Sequence, residues 1–140
     1  MTEAQLAFKV GSLFDRKISS AFWSSFDSKY GKTQIEVLVY LHDNEPAKAS
    51  EISSSLNVPK QHVSKIIKAF SNEGLVSVIP DNDDKRANLI KLSDAGRALI
   101  EDHIKISNKH FEDLLNGLDP QSRATMLNSL KDLADILESV

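Results

Sequence analysis

The amino-acid sequence predicts a mainly α-helical protein with one small β-hairpin, on two observations. Over most of its 140 residues apolar side chains recur three or four positions apart, the spacing of amphipathic helices. After Gly74 that period gives way to Leu75-Val76-Ser77-Val78-Ile79, a β-branched run followed by turn chemistry and a second short apolar run. A chain of this length can bury a core without a disulfide or a metal, and residues 1–140 are expected to form a single domain.

From Gln5 to about Phe26, the residues Leu6, Val10, Leu13, Phe14, Ile18, Ala21, Phe22 and Phe26 trace one long amphipathic helix that stops near Tyr30-Gly31. A second helix is expected from Thr33, a capping residue with Glu36 three positions on. It runs through Ile35, Val37, Leu38 and Leu41 to the break at Asn44-Glu45-Pro46, and its strongly apolar character places it in the core. Two short helical patterns follow closely, Ser50 to Leu56 and about Pro59 to Asn72. Asn57 sits between them, where the chain needs a residue that tolerates left-handed backbone. Ile52, Leu56, Val58, Val63, Ile66, Ile67 and Phe70 give this pair an inward face, and Gly74 closes its second helix. The hairpin then pairs the run at 75–79 with Asn88-Leu89-Ile90-Lys91-Leu92 across a turn from Pro80 to Arg86. Ser93 caps a helix carrying Leu99, Ile100, Ile104, Ile106, Phe111, Leu114 and Leu115. Asp119-Pro120 opens the last helix, whose Leu127, Leu130, Ala134 and Leu137 form a heptad-like seam.

The sequence contains no cysteine, which excludes disulfides, thiolate zinc sites, cysteine nucleophiles and thiol redox sensing together. The N-terminus lacks the basic start and apolar run of a signal peptide, and no stretch is apolar enough to span a bilayer. A cytoplasmic protein without membrane contact is therefore expected.

The net charge of -3 opposes polyanion binding until it is divided along the chain. Residues 57–97 hold 7 basic and 5 acidic side chains, against 6 and 7 before them and 4 and 8 after them. Within that middle segment, residues 57–72 carry Lys60, Lys65 and Lys68 and no acid. Phosphates respond to the field of the docking face and not to the global sum. Two short helices joined by a tight turn, then a hairpin with a charged tip, is the order of a winged helix-turn-helix. In that arrangement the second helix enters the major groove. Its exposed positions here are Lys60, Gln61, His62, Ser64, Lys65 and Lys68, interleaved with apolar Val63, Ile66 and Ile67. Lysine donates to guanine or phosphate, Gln61 pairs bidentately with adenine, and His62 and Ser64 suit base or phosphate contacts. At the hairpin tip Arg86 stands among acids that repel phosphate, so a single arginine entering a narrow minor groove, held by Asp84, accounts for it better than a general electrostatic clamp.

Glu51 to Arg97 resembles the DNA-binding lobe of the MarR (multiple antibiotic resistance regulator) family. The resemblance is carried by Ser50-Glu51-Ile52, Leu56-Asn57-Val58, Val63-Ser64-Lys65-Ile66-Ile67 and Glu73-Gly74-Leu75-Val76. Its most specific parts are Asp84-Lys85-Arg86 and Leu92-Ser93-Asp94-Ala95-Gly96-Arg97. It implies that Asp84, Lys85 and Arg86 belong to a wing whose arginine reaches the minor groove. It also implies a winged helix-turn-helix lobe over residues 33–97, with residues 4–30 and 98–140 forming a helical dimerisation region. Two positions depart from the family pattern: Lys48 stands where a Ser or Thr cap is usual, and Pro59 where the reading helix usually has a capping Ser, Thr or Asp.

The implied function is sequence-specific regulation of transcription, as a repressor and homodimer on a roughly palindromic double-stranded DNA site. Release by a small-molecule effector would use the aromatic residues Trp23, Phe26 and Tyr30, unless these are simply core. The rival reading is a winged-helix module for protein contact with weak or no specific DNA binding. No cofactor is expected and no catalytic motif is present, neither a Gly-rich phosphate loop nor a G-x-S-x-G elbow. Nor is a metal site expected: His103 and His110, seven residues apart on one helix, are separated by about 10 Å along its axis and cannot share one ion directly.

Overall fold

Helices form where the apolar period predicts them, and their ends are set by local caps. The computed structural model describes residues 1–27, 29–83 and 86–140. Helix α1 (Glu3–Phe14) opens on Thr2, whose hydroxyl accepts from Gln5 N–H while the Gln5 side chain accepts from Thr2 N–H. The long first helix expected to reach Phe26 is not regular. A π turn occupies Asp15–Ser19, and α2 (Ser20–Ser24) ends two residues early. A π turn leaves a carbonyl without its usual helical partner. Here Nε2 of His110 donates to the Lys17 carbonyl at 2.8 Å, and the Ser20 hydroxyl donates to that of Arg16 at 2.8 Å.

Helix α3 (Lys32–Asn44) begins one residue before the expected Thr33 cap. Gly31 is the cap residue, and its N–H donates to Oε1 of Gln34 at 2.8 Å, so the side chain three residues on is Gln34 and not Glu36. As expected, Ile35, Val37, Leu38 and Leu41 are buried. Helix α4 (Ala49–Leu56) and helix α5 (Lys60–Asn72) are joined through Asn57 in the left-handed region, at φ 54° and ψ 48°. Helix α5 ends in a Schellman motif: Leu75 N–H donates to Phe70 O at 2.8 Å and Gly74 N–H to Ser71 O at 3.1 Å. Gly74 supplies the positive φ of 76°.

Strands β1 (Val76–Pro80) and β2 (Asn88–Leu92) pair antiparallel, with Val76 opposite Leu92 and Pro80 opposite Asn88. Ala47 adds a short bridge to β2, its N–H donating to Ile90 O at 3.0 Å and its carbonyl accepting from Ile90 N–H at 2.8 Å. Glu45 anchors the same strand: one carboxylate oxygen accepts from Leu92 N–H at 2.8 Å and the other pairs with Arg97. Helix α6 (Asp94–Asn116) starts at Ser93, whose hydroxyl accepts from Gly96 N–H at 3.0 Å and donates to Gly74 O. Gly96 has a steric reason to be glycine, because an added Cβ would press into the Leu75 carbonyl. Helix α7 (Pro120–Glu138) is capped by Asp119, which accepts from Ser122 N–H at 2.8 Å.

The chain divides into two compact units, residues 22–105 and residues 1–21 with 106–140. The first holds the core: Leu38, Leu41, Ile52, Val63, Phe70 and Ile100 are at most 1% exposed. Each such side chain contributes roughly 1.5–3 kcal/mol by leaving water. All of residues 33–97 fall within this unit. The second unit buries Leu115, while Leu6, Phe8, Val10, Leu133, Ile136 and Leu137 remain exposed.

Candidate nucleic-acid interface

The buried stripe of α5 dictates what its other face can do. Val63, Ile66, Ile67 and Phe70 point into the core, so Lys60, Gln61, His62, Ser64, Lys65 and Lys68 are all exposed. Lys60, Ser64, Lys68 and Ser71 follow one another at helical spacing and form one wall of an open cleft of about 650 Å³. The start of α4 supplies Lys48, Ala49 and Ser50 as its end, and the hairpin supplies Val78, Arg86 and Asn88 as the opposite wall. Lys48, Lys60, Lys68 and Arg86 all line it, and among the described lining residues no side chain is acidic. Four cations from three elements, set around hydroxyls and amides, have the chemistry to seat phosphate oxygens.

Of the residues singled out in the sequence, the cleft gathers Lys60, Ser64, Lys68 and Arg86. Gln61, His62 and Lys65 lie on the exposed face of α5 outside the cleft lining. Asp84 and Lys85, expected in the wing, lie outside the described residues. Lys48 was noted in the sequence only as a departure from a cap pattern. It takes part here because the chain turns at Ala47 to bridge Ile90, a long-range pairing with no local signature. Its side chain makes no cap bond, but its own N–H is satisfied by Oε1 of Glu51, which accepts from it at 3.1 Å.

Within the hairpin tip the described organising carboxylate is Asp81, which is buried. It accepts from Asp83 N–H at 3.0 Å, and its Oδ2 lies 3.6 Å from the Lys48 ammonium.

Trp23, Phe26 and Tyr30 sit together on another side of residues 22–105. Phe26 is in the core, edge-on to Phe22 at 5.1 Å and stacked on His103 at 3.7 Å. Trp23 and Tyr30 are half-buried against it. The Ser25 hydroxyl donates to Phe22 O, so it accepts from Nδ1–H of His103 at 2.7 Å, which fixes the imidazole tautomer. Burial lowers the His103 pKa, against a smaller opposing pull from Asp102. Among the described residues no group of three His, Asp or Glu side chains is placed to hold a metal ion.

A helix pair with a left-handed turn, a hairpin beside it and a cationic cleft between them define a winged helix-turn-helix protein of the DNA-binding class. The profile of the MarR family matches residues 32–87. A curated relative, the uncharacterized HTH-type transcriptional regulator YdgJ of Bacillus subtilis, is 21% identical over 109 residues. The match covers 78% of this chain and 66% of the relative, so the chain spans about two thirds of that protein. Among solved structures, wild-type MarR from E. coli in its apo form superposes with a TM-score of 0.73 at 21% identity, covering 95% of this chain and 96% of that one. FabT of Streptococcus pneumoniae, solved in complex with DNA, superposes with a TM-score of 0.73 at 16% identity, over 99% of both chains. Over residues 32–87 the chain is thus similar to the MarR family, and over nearly its whole length it shares the fold of these solved structures.

Proposed function

We propose that this protein is a cytoplasmic, sequence-specific DNA-binding transcriptional repressor that acts as a homodimer and has no enzymatic activity. The observation that carries the reading is the cleft between α5 and the hairpin, where Lys60, Lys68 and Arg86 converge without a lining acid among the described residues. The dimer is supported by the exposed apolar side chains of residues 1–21 and 106–140: Phe8 is 81% exposed, Ile136 60% and Leu137 58%. Apolar surface of that kind calls for a partner, and a second copy of the same helices supplies one. Among the described residues no helix is long and apolar enough to cross a membrane. Small-molecule release works in this scheme by linkage: an effector that binds one lobe spacing better than another shifts DNA affinity. Trp23 and Tyr30, half-buried against the core residue Phe26, are the aromatic surface proposed for it, and Trp23, the sole tryptophan, is the fluorescent probe of binding.

Selection of bound duplexes from a random DNA pool tests the proposal. The expected product is an inverted repeat with half-sites about one helical turn apart. Recovery of no enriched sequence would refute sequence-specific binding, and an enriched site without two-fold symmetry would refute the dimer.

A further inference from the structure

The hairpin is tied to the helix-turn-helix at two levels. Along β2 it is held by the backbone bridge between Ala47 and Ile90, in the middle of the strand, and by the Glu45 carboxylate at Leu92 N–H. Nearer the tip, just past the last strand pair, Asp81 N–H donates to Ala87 O at 3.1 Å, and the Asp81 carboxylate faces the ammonium of Lys48. Lys48 is the cap residue of α4, adjacent in sequence to the bridging Ala47. A two-stranded ribbon has little stability of its own, and attachments confined to Ile90 and Leu92 leave the part of the hairpin beyond them free to bend. A second attachment removes that freedom.

We propose that Lys48 and Asp81 are a positioning pair that fixes the angle of the hairpin against the helix-turn-helix and thereby sets DNA affinity through the placement of Arg86. The inference rests on the DNA-binding reading for its consequence, but not for the strap itself. Two features carry it. Asp81 is a buried carboxylate, its side chain 11% exposed, beside a face otherwise lined by cations. By charge alone it repels a polyanion, so its presence calls for a structural return. That return is visible: one oxygen holds the turn at Asp83, and the other faces the helix-turn-helix through Lys48. Lys48 also lines the cleft, so its charge reaches Asp81 and the cleft together.

Charge and position predict opposite signs, which makes the test decisive. Removing the Asp81 charge strengthens DNA binding if only electrostatics act, and weakens it if the pair positions the wing. In D81N and K48M, affinity for the selected duplex is expected to fall about tenfold, within the ordinary range of coupling through a placed element. K48R, which keeps the charge, is expected to retain most of the affinity. Adding R86A to D81N should cost less than R86A alone, because the arginine is already misplaced.

A second readout needs no DNA. Amide exchange across Val76–Pro80 and Asn88–Leu92 is expected to quicken in both D81N and K48M, while α3 and α5 keep their protection. Unchanged hairpin exchange, or D81N binding as tightly as or more tightly than the unmodified protein, overturns the strap. Faster hairpin exchange in a protein that binds no duplex supports the strap and overturns the DNA-binding reading instead.

Discussion

Affinity for operator DNA should fall about a thousandfold as salt rises from about 50 to about 200 mM, and Lys68→Ala should remove about a third of that dependence. The size follows from the cleft. Of its four cations, Lys48 is engaged with Asp81, and Lys60, Lys68 and Arg86 are the three counted against phosphates. Three per lobe and two lobes neutralise about six phosphates, a logarithmic slope of about -5. Lys68→Ala leaves about four, a slope between -3 and -4, roughly, and a loss of only about a hundredfold over the same salt range. Lys68 is exposed and its removal touches no core contact, so the fold should be unaffected. Anisotropy of a labelled duplex, titrated at a series of salt concentrations, reads both slopes. A slope shallower than about -2 would refute the cleft as a phosphate seat and favour a module for protein contact. A steep slope left unchanged by Lys68→Ala would place the phosphates elsewhere on the surface.

Arg86→Ala should weaken the selected site more than random duplex, by about 1–3 kcal/mol, because an arginine in the minor groove adds sequence discrimination to the charge it sets against the phosphates. Competition with random duplex distinguishes the two. Gly96→Ala should destabilise residues 22–105 by about 2–3 kcal/mol in urea unfolding, since the new methyl is driven into the Leu75 carbonyl and backbone must move. Stability should decline as pH falls below about 6.5. Burial lowers the folded pKa of His103, so the unfolded chain takes up the proton first, and stability present above that value is lost below it. His103→Gln should flatten this part of a pH series of thermal unfolding curves. Leu137→Glu should shift sedimentation from dimer toward monomer, because Leu137 is 58% exposed within its own chain and the new charge meets the proposed partner surface.

Local chemistry made much of the fold legible from residues alone. Asn57 marked the left-handed turn, Gly74 the end of α5, Ser93 and Asp119 the starts of α6 and α7, and the loss of period after Gly74 the hairpin. Each depends on neighbours within about four residues, and sequence order preserves that information. Where two local options compete, the sequence is ambiguous: Thr33 and Gly31 are both plausible helix starts, and Gln34 reaching back to Gly31 decides between them. The π turn at Asp15–Ser19 likewise needed a distant partner, His110, to occupy a carbonyl of that turn.

The exposed face of α5 could be read from period alone, because burying Val63, Ile66 and Ile67 forces Lys60, Ser64 and Lys68 outward. Sequence therefore determined that this is a mainly helical protein with a helix-turn-helix, a hairpin and an exposed cationic face on α5. Tertiary structure alone decided that Lys48 and Asp81, which lie 33 positions apart, face each other at 3.6 Å, and that Lys48 and Arg86 share one cleft. The reason is physical: helix period and capping are set within a turn of the chain, whereas the cleft exists only once Ala47 pairs with Ile90 and carries the hairpin to α4.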